Sequence, residues 1–436
     1  MKKKILIPIY HERDYIFFYK ISKKIKKHEF FFLFFFDYEK KLDLKSKNIN
    51  FFDFDVNNKI NKYIEKKKLI HEHLTFKKKI SFLKKKYSFY YSKNIEILKK
   101  FKINLIIQEL GGFVCHLSLL DAAKKLKINH YFIEPSPLTK NCFFLKNSMD
   151  QESAININKK KITKKKIKEY LNSINNKQYL AINNKDFHLN KKNMFIQIFS
   201  ISTINALIKK IKNIFFGRRT EFNNLKIHCV DYLIRIKNSI INMGVKKIKL
   251  HNSNNFVYYP LHVPLDFALT HRAVLKIDQI KNLKKIFPDN FNLVLKEHPL
   301  VYSKYNYSSI IKNLKNIKVN FFNKNLSSLE ISKKAMCVLT INSKSGLEFL
   351  CKKKPVFSLI KNYYTKKGLA VFVNSKRSFM KCLLRIDKFK PNINAFNNLL
   401  NNLFSKVIFF DLYNLEIENL SKSINSLNQL LDRKKI

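Results

Sequence analysis

Two short segments about 45 residues apart carry the residue types that bind phosphate. In the first, Leu293-Val-Leu-Lys-Glu-His-Pro299, an apolar run delivers Lys296, Glu297 and His298 into a loop fixed by Pro299. An imidazole and an ammonium at the carboxyl end of a strand can both donate to a phosphate oxygen. The second, Cys337-Val-Leu-Thr-Ile-Asn-Ser-Lys-Ser-Gly-Leu-Glu-Phe-Leu350, runs a strand into hydroxyls at Thr340, Ser343 and Ser345. Gly346 then opens a helix that carries Glu348. Hydroxyls beside the unpaired N–H groups of a helix N-terminus make an anion site. Simple N-capping by Ser343 or Ser345 uses the same geometry. The spacing is not that of a Walker loop, G-x-x-x-x-G-K.

Two further segments complete the inventory. Tyr258-Tyr-Pro-Leu-His-Val-Pro-Leu-Asp266 is a strand that breaks into a proline-braced loop, with Pro260 and His262 at the break. Gln108-Glu-Leu-Gly-Gly-Phe-Val-Cys-His116 and Phe132-Ile-Glu-Pro-Ser-Pro137 set Glu109, His116 and Glu134 at strand ends or at the start of the next helix. Carboxylates in such positions are candidates for general base, Glu134 first and Glu109 second. Charged strand ends that are merely solvated give the same pattern. Asp53-Phe-Asp55 is formally a metal-binding pair, but nothing nearby adds ligands. His71-Glu-His73 lies in a basic helical stretch where i and i+2 do not share a face, and it reads as surface.

The elements that must position these residues are short apolar strands separated by helices. Ile5–Pro8, Phe30–Phe36, Ile49–Val56, Leu105–Gln108 and His130–Ile133 read as strands of a first unit. Phe256–Tyr259, Asn292–Lys296, Ile317–Phe321, Cys337–Thr340 and Val356–Leu359 read as strands of a second. Continuous apolar strands alternating with helices predict parallel, doubly wound sheets. The expected fold class is therefore α/β, with two Rossmann-like doubly wound domains, a helical insertion and a helical tail. The expected boundaries are 1–150, 151–250 for the insertion, 251–375, and 376–436 for the tail. Two such units face each other across a cleft at the carboxyl ends of their strands, where open α/β folds bind ligands. Glycine is 6 of 436 residues, against a usual ~7%. Four of the six fall in three strand-to-helix loops, which suggests they are kept for positive φ or close approach.

The four segments resemble the capsule polysaccharide biosynthesis family, bacterial glycosyltransferases that include the Kdo transferases of capsule assembly. The resemblance is best over residues 256–369. Asn-Ser-Lys-Ser-Gly-Leu-Glu-Phe-Leu-Cys-Lys-Lys-Lys-Pro-Val is similar to that family's N-S-x-x-G-x-E-A-L-x-x-G-K-P-V, and Lys-Glu-His-Pro to its H-P motif. His262 stands where the family has glutamine, and Lys353 where it has glycine. The resemblance implies a GT-B-like, inverting, metal-independent transferase that needs no cofactor. Its second domain would hold a nucleotide-sugar donor, CMP-linked in preference. His298, Lys296, Ser343, Ser345 and Gly346 would meet the donor phosphate, and Pro260, His262 and Glu348 the nucleotide. The first domain would hold a lipid-linked or glycan acceptor, with Glu134, Glu109 and His116 as the catalytic set. A sugar-nucleotide epimerase, a glycerophosphate transferase and a non-catalytic scaffold at the membrane are the rival readings.

The composition narrows the partners. Lys and Arg number 86 against 31 Asp and Glu, a net charge of +55, yet only eight of the basic residues are Arg. Readers of nucleic acid favour Arg for bidentate base contacts, so nucleic acid is not an expected partner. Asn, Ile and Phe are swollen alongside Lys, as a strong AT bias in coding DNA would produce. Six cysteines without a C-x-x-C pair fit a reduced compartment. No stretch has the length of a signal peptide or a spanning helix. The expected location is cytoplasmic, with contact to the inner membrane face. For that contact the candidate is about 191–219, where apolar Met194, Phe195, Leu207, Ile208, Phe215 and Phe216 are flanked by Lys and Arg. A buried helix of the interdomain arm explains the same stretch.

Overall fold

A computed structural model describes residues 2–37, 47–55, 61–138, 141–157, 163–175, 201–222, 224–253, 255–298, 303–323 and 325–432. Pro299 and the part of the membrane-contact stretch before residue 201 lie outside them. The first unit runs β1 (Lys4–Ile9), α1 (Glu12–Lys24), β2 (Glu29–Phe34), β3 (Lys47–Asn50), α2 (Ile70–Phe76), α3 (Ile80–Lys100), β4 (Leu105–Glu109), α4 (Val114–Lys125), β5 (Asn129–Pro135) and β6 (Cys142–Lys146). Helices α5 (Lys164–Asn175), α6 (Ile201–Phe215) and α7 (Leu225–Met243) connect it to the second unit.

That unit runs β7 (Phe256–Pro260), α8 (Phe267–Thr270), α9 (Gln279–Ile286), β8 (Asn292–Lys296), α10 (Tyr307–Asn313), β9 (Lys318–Phe321), α11 (Ser328–Lys334), β10 (Cys337–Thr340), α12 (Lys344–Cys351), β11 (Val356–Ser358), β12 (Ala370–Phe372) and α13 (Lys376–Leu384). The tail holds α14 (Ile393–Lys406), β13 (Val407–Ile408) and α15 (Ile417–Leu431).

The apolar runs become strands because they are buried on both faces, as the last five residues of β2 are. The first sheet has the order β13-β6-β5-β4-β1-β2-β3 and the second β12-β11-β10-β7-β8-β9. The second is parallel throughout, with Phe256 opposite Asn292 and Val338 opposite Tyr258. In the first, β6 pairs antiparallel with β5, and β13 antiparallel with β6. The chain reverses its direction of winding between β1 and β4 in one sheet and between β7 and β10 in the other. These two reversals open the crevices where ligands of such sheets bind.

The helical tail is present and joins the first unit: β13 adds to the first sheet and α15 packs on α1, while Phe410 meets Phe17 edge to face. One expectation needs correction. The His71-Glu-His73 stretch is not surface: His71 and Glu72 are buried in α2. The loop glycines follow the expectation, with Gly368 at positive φ, and several lysines take positive φ as well. Lys77, Lys102, Lys127 and Lys353 all take φ between 51° and 55°, while Gly111 and Gly346 are kept for close approach. A Cβ on Gly111 would lie 2.4 Å from His116 Nε2, and one on Gly346 2.7 Å from the Tyr364 ring. One hydrophobic cluster runs from Leu6 and Phe132 in the first unit to Tyr258 and Val338 in the second, so the units share core.

Candidate functional site

At the reversal of the second sheet, the loop after β7 supplies His262, the loop after β10 supplies Asn342 and Ser343, and α12 starts with Lys344. The backbone of His262 is held from both sides. Its N–H donates to Gln279 Oε1 at 2.9 Å, and its carbonyl accepts from Tyr305 Oη at 2.6 Å. The Asn342 N–H faces His262 Nε2 at a long 3.5 Å. Ser343 caps α12 by accepting from the Ser345 N–H at 3.1 Å, and Thr340 Oγ1 accepts from the Ser343 N–H at the same distance. These hydroxyls build the loop that presents the start of α12. The Ser345 hydroxyl lies elsewhere, in a buried chain with Ser328 Oγ at 2.8 Å, which in turn meets Tyr258 Oη at 3.3 Å. Of the two serines, Ser343 is the one on the loop.

Strand β8 brings Lys296 and His298 to the same crevice. Pro260 and Lys296 are paired in register, and the Leu261 N–H donates to the Lys296 carbonyl at 2.9 Å. Glu297, between them, holds the following loop by accepting from the Ser303 and Tyr305 N–H groups at 3.1 and 3.0 Å. Lys296 is buried, which lowers its ammonium to about 8, although Glu348 and Glu297 favour the charged form. Burial likewise pushes the His298 imidazole down to about 3, helped by the charges of Lys296, Lys344 and His262. His262 falls to about 4 through burial. Both imidazoles are therefore neutral near pH 7, each with one N–H to donate. Lys296 and Lys344 add positive charge at the start of α12, where the helix dipole adds more.

The first sheet reverses between β1 and β4, and carboxylates gather there. Asp14 lies in the first turn of α1 and is 5% exposed. Its Oδ2 accepts from the Tyr10 and His11 N–H groups at 3.1 and 2.9 Å, while its buried Oδ1 accepts no hydrogen bond among the described residues and lies 3.7 Å from Arg13 Nε. Burial, and after it the nearby charge of Glu109, raise Asp14 to about 6 against the pull of Arg13 and of the two N–H groups. Glu109, at the end of β4, accepts from Tyr413 Oη, and the Arg13 guanidinium lies 4.7 Å from the Tyr413 ring centre. His116 is stacked under Tyr10 at 4.4 Å and against Gly111, which leaves little of the ring to meet a ligand.

Glu134 sits between the units. Both of its oxygens are engaged by Arg272, at 2.6 and 2.9 Å, and Oε1 also accepts from Gln151 Nε2 at 3.0 Å. An acceptor hydroxyl would have to displace these donors to reach it, so the structure gives Glu134 the work of joining the units. Beside this pair a cavity of about 370 Å³ is lined by Asp150, Gln151, His271, Arg272, Asn342 and Tyr363, among others. It brings the loop after β6 against the loop after β10. A second bridge, His71 Nδ1 to Thr270 Oγ1 at 2.7 Å, ties α2 to α8. Asp53, of the formal D-x-D, is paired with Arg219 at 2.9 Å. Among the described residues no group of three His, Cys, Asp or Glu side chains is arranged to hold a metal ion.

Sequence reasoning missed Asp14, Arg272 and Lys344. A signal existed for the first: His11-Glu-Arg-Asp14 is a polar quartet directly after the first apolar strand, which is where a parallel sheet puts its ligands. Arg272 had none, because its partner lies 138 residues away.

Solved structures of similar arrangement include the UDP-GlcNAc 2-epimerase from Neisseria meningitidis bound to UDP-GlcNAc. It is 12% identical, with 99% of this chain and 100% of that chain covered and a TM-score of 0.27. Another is the beta Kdo 2,7 transferase of Thermosulfurimonas dismutans KpsC, 10% identical over 99% of this chain and 100% of that one, with a TM-score of 0.39. The beta Kdo 2,4 transferase of the same protein is 10% identical over 70% and 79%, with a TM-score of 0.31. No curated protein matches the chain in sequence. The family model of the capsule polysaccharide biosynthesis protein does match, over residues 231–409, which takes in both loops of the second crevice. Over that segment, which is less than half of its length, the chain is similar to the capsule polysaccharide biosynthesis family.

Proposed function

We propose that the protein is a glycosyltransferase of capsule or surface-polysaccharide assembly. It takes a sugar from a nucleotide donor, CMP-linked in preference, and transfers it with inversion to a lipid-linked or glycan acceptor. The observation that carries this reading is the meeting of His262, Lys296, His298 and Lys344 at the start of α12, within the segment that matches the family. In the reaction the acceptor oxygen bonds to the anomeric carbon while the bond from that carbon to the donor phosphate oxygen breaks. The phosphate leaves with the bonding pair, and the acceptor proton passes to a carboxylate of the first unit.

Negative charge grows on the departing phosphate, so donors and cations fixed around it stabilise the transition state more than the ground state. Lys296, Lys344 and the α12 N-terminus supply that positive potential, and His298 and Ser343 supply neutral donors. The mechanism proposed is therefore metal-independent. Asp14, kept basic by Glu109, is the proton acceptor in this reading, and Glu134 holds the units closed through Arg272.

The test is incubation of the purified protein with CMP-, UDP- and CDP-linked sugars, with and without a glycan acceptor. Release of one nucleotide only when acceptor is present is the expected result. Isomerisation of a donor without acceptor would make the protein an epimerase. Binding of donor with neither outcome would leave it no transferase.

A further inference from the structure

We infer that α6 and the turn after it form a docking surface for an anionic lipid bilayer. The helix is amphipathic, and its apolar face is turned outward. Ile201, Ile204, Leu207, Ile208, Ile211 and Ile214 recur at helical spacing along one side, and all are exposed. The helix ends at Phe215, 86% exposed, and Phe216, 70% exposed, follows it into the turn at Gly217. A helix of an interdomain arm that was part of the core would bury this face. A soluble surface rarely leaves so long an apolar stripe in water.

The occupant is indicated by charge. Residues 201–243 contain eight Lys or Arg and two Asp or Glu. One of the acids, Glu221, is spent internally on Lys86 at 2.5 Å and on Tyr90 at 2.6 Å. Lys212 and Arg218 border the apolar face, and Arg218 lies 5.6 Å from the Phe216 ring centre. The stripe is thus bordered by positive charge at the same density as the chain as a whole, +55 over 436 residues. The headgroups of an anionic bilayer complement it, while the acyl boundary takes the isoleucines and phenylalanines.

The helix is also mounted to carry load. At its base Thr220 bridges Phe36 of the first unit, and Arg219 pairs with Asp37 at 3.2 Å and Asp53 at 2.9 Å. The following α7 is fixed to the second unit by Asn238 and Asn242, whose amides donate to the Ser303 and Tyr305 carbonyls at 3.0 and 2.8 Å. On its inner side α6 carries Lys210, close enough to lower the His11 imidazole at the first crevice.

Flotation of the full chain with phosphatidylcholine vesicles, and with vesicles doped with phosphatidylglycerol, tests the surface without any turnover, so it fails or holds apart from the transferase reading. The protein should float with the anionic vesicles, and added salt should release it. Lys212→Gln and Arg218→Gln should each weaken binding about fivefold. Phe215→Ser and Phe216→Ser should each weaken it about tenfold or more, with thermal melting unchanged because both rings are exposed. Absence from the anionic vesicles overturns the inference. So does equal flotation of the double Phe variant, or a dimer in solution that this variant dissociates, since a second copy would then be what covers α6.

Discussion

Arg272 of the second unit grips Glu134 of the first with both ends of its guanidinium, Nη1 to Oε1 at 2.6 Å and Nη2 to Oε2 at 2.9 Å. Each side chain is only 10% exposed. Removing one member of such a pair leaves the other charge buried, at a cost of about 3–5 kcal/mol. Arg272→Ala should therefore lower the denaturation midpoint strongly. Arg272→Met combined with Glu134→Gln should cost less than the sum of the two single changes. Strict additivity in that cycle would mean the pair does not couple the units.

Lysine occupies three helix ends where glycine is the usual residue. Lys102, Lys127 and Lys353 each take positive φ, and the hydrogen bonds around them close the helix in the Schellman pattern. For Lys353, its own N–H donates to the Leu350 carbonyl and the Lys354 N–H to the Phe349 carbonyl, both at 3.0 Å. A side chain in the left-handed region costs about 1–2 kcal/mol, part of which glycine returns as unfolded-chain entropy. Each Lys→Gly change should stabilise the protein by about 1 kcal/mol or less, and the three should add. A fall in denaturation midpoint for Lys353→Gly would show that the lysine stem earns more in packing than φ costs.

The parallel sheets and the strand-end residues were legible because burial on both faces writes strands as unbroken apolar runs, as in Phe30–Phe36. Lys296, His298 and Ser343 could be found for the same reason: each directly follows such a run. What was not legible depends on contacts distant in sequence. Nothing near Val407–Ile408 signals that two residues will extend the first sheet, and nothing near Glu134 announces Arg272. The His71-Glu-His73 stretch misled because charge in a basic helix suggests solvent. Glu72 is instead buried by Lys86 at 2.7 Å and by the Val114 N–H at 2.7 Å, which neutralise and satisfy it.

In the proposed donor site, Lys296 sets a pH dependence. Its ammonium is lowered from 10.5 to about 8 in the folded protein. Between those values the unfolded chain holds the proton and the folded one does not, so this residue makes the protein more stable as pH rises from about 8 to 10.5. Phosphate binding runs the other way, since it needs the charged form. Calorimetry with CMP should show affinity falling above pH 8 and proton uptake on binding near pH 8. Lys296→Arg should hold its affinity to higher pH, because guanidinium does not deprotonate there. His298→Ala should keep CMP binding within reach of measurement yet lower turnover about 10²–10³-fold. A CMP affinity that is flat from pH 7 to 10 in the wild type would remove Lys296 from the site.

Asp14 should govern the acid limb of turnover. Its carboxyl is raised to about 6 by burial and by Glu109, with Arg13 opposing, and Tyr10, His11 and Tyr413 lie around it as further titratable groups. Because the folded protein binds this proton more tightly than the unfolded chain does, its contribution to stability falls as pH rises from about 4 to 6 and stays lost above. Asp14→Asn keeps an oxygen for the Tyr10 and His11 N–H groups, so it should fold, and its melting temperature should lose the decline over that pH range. Turnover should drop about 10²–10⁴-fold, the usual cost of removing a general base. Glu109→Gln should retain activity but move the acid limb of kcat/KM below 6, because the charge that raises Asp14 is gone. A purely structural Asp14 would leave that limb where it is in the Glu109 variant. An Asp14→Asn protein with normal turnover would return the search for the base to Glu109 itself.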